Sequence, residues 1–191
     1  MSLEKKSVLR DWVESIIIAF LLAMVIRTFV VQAFKIPTGS MRMTLQEGDL
    51  ILVNKFIYGA KVPFSNFYLP ALREPKRGDI VVFVYPEDKK KDFIKRLIGL
   101  PGEIIEIKGG SIYVNDKQVE EPIFKQIYYY NRGDFGAEGQ KIVVPKDSYF
   151  VLGDNSASSK DSRYWGFVPK ENLLGQALVI YWPIHRMRTI K

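Results

Sequence analysis

The chain has no cysteine and a single histidine, His185, and these two counts settle much of the chemistry open to it. Thiol nucleophiles, disulfide scaffolds and thiolate metal sites are excluded, and one histidine cannot build a multi-histidine metal centre. A serine–histidine–aspartate triad would need His185 as its base. That residue stands near the C-terminus in Trp-Pro-Ile-His-Arg, the setting of a tail or surface histidine. Asp154 and Asp161 are the only paired carboxylates in a conspicuous context, and Gly153-Asp154-Asn155 reads first as turn chemistry. Gly153 also lacks the glycine spacing of a phosphate-binding loop. Neither a metal nor a cofactor is implied.

What remains is a hydroxyl nucleophile with a lysine base. Ser40 lies in Ile36-Pro37-Thr38-Gly39-Ser40-Met41. Pro37 drives Ile36 toward extended geometry, and Gly39 permits a sharp turn with close backbone approach. A presented nucleophile needs both features, although Gly-Ser turns are also common structural devices. Lys95 lies in Asp92-Phe93-Ile94-Lys95-Arg96-Leu97-Ile98. Strand alternation puts Phe93, Lys95 and Leu97 on one face, and Ile94, Arg96 and Ile98 on the other. Either face then holds one cation among apolar neighbours. A lysine starts at a pKa of about 10.4 and must be neutral to accept a proton. Lowering it to about 7–8 takes roughly 3–4 kcal/mol of differential interaction, within reach of burial in an apolar site. Arg96 cannot act this way, because its guanidinium stays charged. The same pattern also suits a lysine on a solvated strand face.

The elements that must position these residues fall into two parts. Residues 15–34, SIIIAFLLAMVIRTFVVQAF, have the length of a membrane-spanning helix. From Ile16 to Ile26 the apolar residues cover every helical face rather than one stripe. Arg27 is the one charge, placed where its side chain could snorkel to an interface, and Trp12 suits the headgroup region at the entry. The run is long for a cleavable signal segment, and no small-x-small site follows it before Lys35. Lys5, Lys6 and Arg10 precede it, so residues 1–14 are expected in the cytoplasm and everything after residue 34 outside.

Beyond residue 34 the pattern changes to short runs rich in Val, Ile, Phe and Tyr: DLILVNKF, DIVVFVY, DFIKRLIGL, EIIEIK, SIYVN, KIVVP, SYFVLGD and ALVIYW. Gly48-Asp49, Gly78-Asp79 and Pro101-Gly102 punctuate them. The expectation is a mainly β, antiparallel, barrel-like catalytic domain over residues 35–107 and 141–191. A small β insertion over residues 108–140 carries turns at Gly109-Gly110 and Asn115-Asp116. The net charge of +7 calls for an acidic partner. Because the basic residues are dispersed and RNA-type aromatic–glycine motifs are missing, phospholipid fits better than nucleic acid.

Four segments taken together resemble bacterial type I signal peptidases, membrane-bound serine–lysine endopeptidases that remove signal peptides. They are IPTGSMRMTLQEGDLILVNKF, RGDIVVFVYPED, DFIKRLIGLPGE and GDNSASSKDSRYWGFVP, in the family's order across most of residues 36–169. The resemblance implies Ser40 as nucleophile and Lys95 as general base. It implies the Ser40 N–H and the Thr38 hydroxyl as oxyanion donors, and Ser159 as the serine that orients the lysine. Asp154, Asp161 and Arg163 fall on supporting positions, with a salt bridge beneath the site, and Gly153 on one that needs close packing. Ile36, Pro37, Met41, Leu45, Phe93 and Ile94 fall on positions that shape shallow pockets for small residues before the cut. Secretory preproteins are the implied partners, with a monomeric enzyme cleaving after Ala-X-Ala-like sites. The chain departs from the pattern at Met43, where proline is usual, and at Ser156 and Ala157, where arginine and aspartate are frequent. These departures touch the rigidity of the loop and substrate preference, and leave the reacting groups in place. Two other readings remain: a non-catalytic, membrane-tethered β domain that binds extended peptides, and a serine–lysine domain that cleaves itself or a regulator.

Overall fold

Alternating apolar runs separated by glycine turns pair into two antiparallel sheets. The structure, a computed structural model, describes residues 8–59, 67 and 69–190; Lys5 and Lys6, which carry the topology argument, lie outside them. The chain enters through helix α1 (Val8–Val25) and a π turn (Ile26–Val30). The strands follow as β1 (Val31–Lys35), β2 (Leu50–Asn54), β3 (Ile80–Val84), β4 (Asp92–Gly99), β5 (Ile104–Lys108) and β6 (Ser111–Val114). Next come β7 (Lys117–Gln118), the short helix α2 (Pro122–Lys125), β8 (Ile142–Val143) and β9 (Ser148–Leu152). Helix α3 (Ser162–Trp165), β10 (Val168–Pro169), β11 (Leu173–Trp182) and β12 (Arg188–Thr189) complete the chain.

The larger sheet has eight strands in the order β1-β2-β11-β3-β4-β9-β10, with β12 also paired to β11. The smaller sheet runs β7-β6-β5-β8, so its strands β5 and β8 reach beyond the 108–140 stretch on both sides. Its two tight turns use left-handed backbone, at Gly109 and Gly110 (φ 57° and 78°) and at Asn115 and Asp116 (φ 50° and 64°). Paired positive φ values match the right-handed twist of the flanking strands, which is why Gly-Gly and Asn-Asp stand there.

One core cluster fills the larger sheet, with Ile36, Met41, Leu45, Ile51, Val53, Ile80 and Val82 among its members. A second joins the smaller sheet to β4 and β9 through Ile98, Ile105, Ile107, Phe150 and Leu152. Strand β4 therefore packs on both faces, and its residues from Lys95 to Gly99 are all buried.

The N-terminal run differs from expectation. The single helix expected over residues 15–34 ends at Val25, and its last residues join the sheet instead. Strand β1 pairs with β2 in unbroken register from Val31↔Asn54 to Lys35↔Leu50. The β-branched and aromatic residues of that stretch, Val31 and Phe34, favour the pleated partner over a further helical turn. Helix α1 carries Arg10, Asp11 and Glu14 within its first two turns and buries none of its residues. Among the described residues, no helix is long and apolar enough to cross a membrane.

Candidate active site

Ser40 sits in a single 3-10 turn (Gly39–Met41) just after β1, entered from Thr38 in extended conformation. The turn is tied to the loop after β9 at several points. Asn155 N–H donates to the Ser40 carbonyl at 3.0 Å, and Asn155 Nδ2 donates to the Gly39 carbonyl at 2.9 Å. The Asp154 N–H points at Met41 Sδ, 3.4 Å away. Gly153 completes the seam. A Cβ there would overlap Ser159 Oγ and stand 2.6 Å from the Ser40 carbonyl oxygen, so only glycine lets the two loops meet.

Strand β4 brings Lys95 to this turn. Its Nζ donates to Ser40 Oγ at 2.8 Å and to the Ile94 carbonyl at 2.9 Å. The side chain is 3% exposed. Burial lowers its pKa to about 8, against the opposing fields of Asp161 and Asp154. A neutral amine in the same position accepts from the hydroxyl rather than donating to it. The Phe93 ring centroid lies 5.5 Å from the amine, and Tyr85 stacks on Phe93 at 4.4 Å. The Thr38 hydroxyl and the Ser40 N–H have no acceptor among the described residues, which leaves both donors free beside the serine.

Two buried ion pairs support the loop from below. Asp161 caps α3 and takes both forks of Arg163, Nε to Oδ1 and Nη2 to Oδ2, each at 2.8 Å. Arg163 also binds the Tyr130 carbonyl and Ser156 Oγ, while Asp161 accepts the Gly153 N–H at 3.0 Å. Asp154 is paired elsewhere. It receives Arg96 Nε at 2.8 Å and Nη2 at 2.7 Å, plus the Thr44 hydroxyl at 2.5 Å. These bidentate forks hold their carboxylates in fixed planes.

Of the residues singled out by sequence, Ser40, Lys95, Thr38, Gly153, Ser159, Asp154, Asp161 and Arg163 all gather in this one region. Ser159 is buried, but its Oγ makes no hydrogen bond among the described residues; the second partner of Lys95 is the Ile94 carbonyl. Beside the pair opens a cavity of about 340 Å³, lined by Pro37, Thr38, Phe93, Ile94, Ser158 and Lys160, with Asp92 also on its wall. Ile36, Met41 and Leu45 do not line it; they lie fully buried in the core beneath. His185 is exposed in a turn (Ile184–Arg186) at the far end of β11. Among the described residues no cluster of three His, Asp or Glu side chains could hold a metal ion.

Sequence reasoning missed Arg96 as the partner of Asp154, and also Thr44 and Asn155. A signal for Arg96 was present: β4 is apolar on both faces, so the arginine had to be buried, and a buried guanidinium requires a carboxylate.

Comparison with known proteins places the chain in a family. The family model described as "Signal peptidase, peptidase S26" matches residues 9–182. A probable signal peptidase I-2 from Synechocystis sp. is 42% identical over 185 residues, covering 92% of this chain and 76% of the relative. Signal peptidase I P of Bacillus subtilis subsp. natto is 37% identical over 199 residues, covering 98% and 96%. A solved signal peptidase I from Enterococcus faecalis V583 is 34% identical, covers 55% of this chain and 97% of its own, and superposes with a TM-score of 0.43. The chain belongs to the signal peptidase family, peptidase S26.

Proposed function

We propose that this chain, by family a serine endopeptidase that removes signal peptides, does so with Ser40 as nucleophile and Lys95 as general base. The carrying observation is the 2.8 Å contact between Lys95 Nζ and Ser40 Oγ. Lys95, neutral in its apolar setting, takes the Ser40 proton as the oxygen attacks the scissile carbonyl. The Thr38 hydroxyl and Ser40 N–H receive the developing oxyanion. The lysine then protonates the leaving amine, and water hydrolyses the acyl-enzyme by the reverse proton path. Arg96, Asp154, Asp161 and Arg163 fix the loop on which the serine turn rests. Ser159 Oγ has no hydrogen-bond partner among the described residues, so the group that orients Lys95 is the Ile94 carbonyl. The shallow space beside Pro37, Phe93 and Ile94 admits small side chains before the cut, while Ile36, Met41 and Leu45 set its depth from below.

The enzyme acts as a monomer on secretory preproteins at the cytoplasmic membrane. The N-terminal segment is its single-pass anchor, with the N-terminus in the cytoplasm and the catalytic domain on the outer side. Support comes from α1, whose Ile16, Ile17, Ile18, Phe20, Leu21 and Leu22 are exposed without a protein partner. So large an apolar surface calls for lipid. Resistance of the full chain to alkaline extraction from membranes tests the anchor; release into the soluble fraction would overturn it.

Mass spectrometry of enzyme quenched during turnover of an activated ester substrate tests the mechanism. An acyl group on Ser40 is expected. Acylation elsewhere, or none with Ser40 intact, would contradict it.

A further inference from the structure

The cavity beside Ser40 and Lys95 is neutral and apolar near the pair but charged at its rim. Phe93 lines the cavity beside Lys95; behind it Tyr85 stacks on Phe93 with its ring 4° from parallel, and Trp165 stands edge-on to both. Lys160 closes the outer end. It lines the cavity, and its Nζ stands 5.6 Å from the Tyr85 ring centroid. Lys160 lies between Ser159 and Asp161, two residues whose backbone is tied into the loop beneath the serine. Its backbone is therefore placed with the site, while its side chain stands mostly exposed.

The charges around that cation are few. Glu87 approaches its Nζ to 3.5 Å, with both side chains more than half exposed, and Glu87 is itself held by the Tyr85 hydroxyl. An ion pair that open contributes little and yields readily to a competitor. Asp92 stands elsewhere on the cavity wall; burial raises its pKa, and Lys55 partly offsets that rise. Among the described residues Lys95 is the only other cation lining the cavity, and in the reacting state it is neutral. The rim thus presents one exposed positive charge, loosely paired with Glu87, toward a bound chain.

We propose that Lys160 is a specificity-determining residue that favours a substrate carrying an acidic side chain, Asp or Glu, close to the scissile bond. The substrate carboxylate takes over the ammonium from Glu87, while the Tyr85 ring stays beside that ammonium. A basic side chain at the same substrate position is disfavoured by like charge. This rests on the reading of Ser40 and Lys95 as the reacting pair, and concerns which preproteins that pair processes fastest.

The test uses the full chain in phospholipid vesicles and peptides that share one small-residue cut site. They differ by Asp, Asn or Lys at each position from three before the cut to three after it. For wild type, kcat/KM is expected to favour Asp over Lys at one of these positions by roughly threefold to fivefold, the range of a partly exposed ion pair. Lys160→Glu should invert that preference, Lys160→Arg should keep it, and raised salt should flatten it. The Asn peptides should be cleaved at similar rates by all three enzymes. An unchanged Asp-to-Lys ratio in Lys160→Glu would overturn the proposal while leaving the reacting pair intact. A uniform loss on every peptide, Asn included, would assign Lys160 a structural role and overturn it too. Failure of wild type to cleave any of the peptides, or full cleavage by Ser40→Ala, would instead remove the reacting pair and the proposal with it.

Discussion

Lys95 Nζ and Ser40 Oγ, 55 residues apart in the chain, lie 2.8 Å apart because strand and turn are locked to a common loop. The turn holding Ser40 is bonded to Asn155. The strand holding Lys95 carries Arg96, which grips Asp154 one residue earlier. The serine and lysine thus share a frame through neighbouring residues of one segment. Their contact follows from that frame, and the Ile94 carbonyl holds the lysine amine in addition.

Lysine must be neutral to take the serine proton, and burial sets its pKa at about 8. Measured as kcat/KM against pH, cleavage should rise with a slope of one proton as pH increases toward 8. It should level off above that value. A profile flat between pH 6 and pH 9 would contradict a lysine base.

The same depression makes Lys95 a cost to folding. Its ordinary pKa of 10.5 applies in the unfolded chain, against about 8 in the folded one. Between those values the unfolded chain holds a proton the folded chain has released, so stability rises with pH across that window. Below about pH 8 the full penalty of about 3 kcal/mol is present. Lys95→Met should therefore unfold at higher denaturant than wild type at pH 7, with the difference shrinking toward pH 10. It should also be inactive.

Arg96 is wholly buried against Asp154. Removing either partner leaves the other as an uncompensated charge, so Arg96→Met or Asp154→Leu should each cost about 3–5 kcal/mol in chemical denaturation. The double variant should recover most of that loss. Equal, additive losses in the cycle would show that the two do not act as a pair.

Among the described residues the Thr38 hydroxyl has no hydrogen-bond partner, and it lines the cavity with Ser40. Thr38→Val keeps the shape and deletes the donor. kcat should fall about a hundredfold with KM little changed, while Thr38→Ser keeps most of the activity. A rise in KM alone would mark Thr38 as a binding contact.

Much of the sheet was legible in the sequence because its strands alternate and end at glycine turns. DIVVFVY, DFIKRLIGL and SYFVLGD contain β3, β4 and β9. The left-handed turns were legible for the same reason, since Gly109-Gly110 and Asn115-Asp116 are the residues such backbone accepts. Strand β1 was hidden. Val31 and Phe34 lean toward a strand but continue the apolar run of the helix without a break, and the pairing with β2, remote in sequence, decides between the two. The short β7, β10 and β12 carry too few residues for any period to show. In the site, the types of Ser40 and Lys95 narrowed the chemistry by elimination. Residue types could not show that Arg96 would turn to Asp154, or that Met41 and Leu45 would sink beneath the cavity, because both depend on how the loop after β9 packs.

The central claim is that Ser40 and Lys95 are the reacting pair, and preprotein cleavage by single variants of intact fold tests it most directly. Ser40→Ala, Lys95→Ala and Lys95→Arg, each checked by circular dichroism, should cut a preprotein at least about a thousandfold more slowly than wild type. Lys95→Arg is the sharpest of the three, since it keeps the charge and loses only the ability to be neutral. Near-wild-type cleavage by any one of these folded variants would contradict the pair.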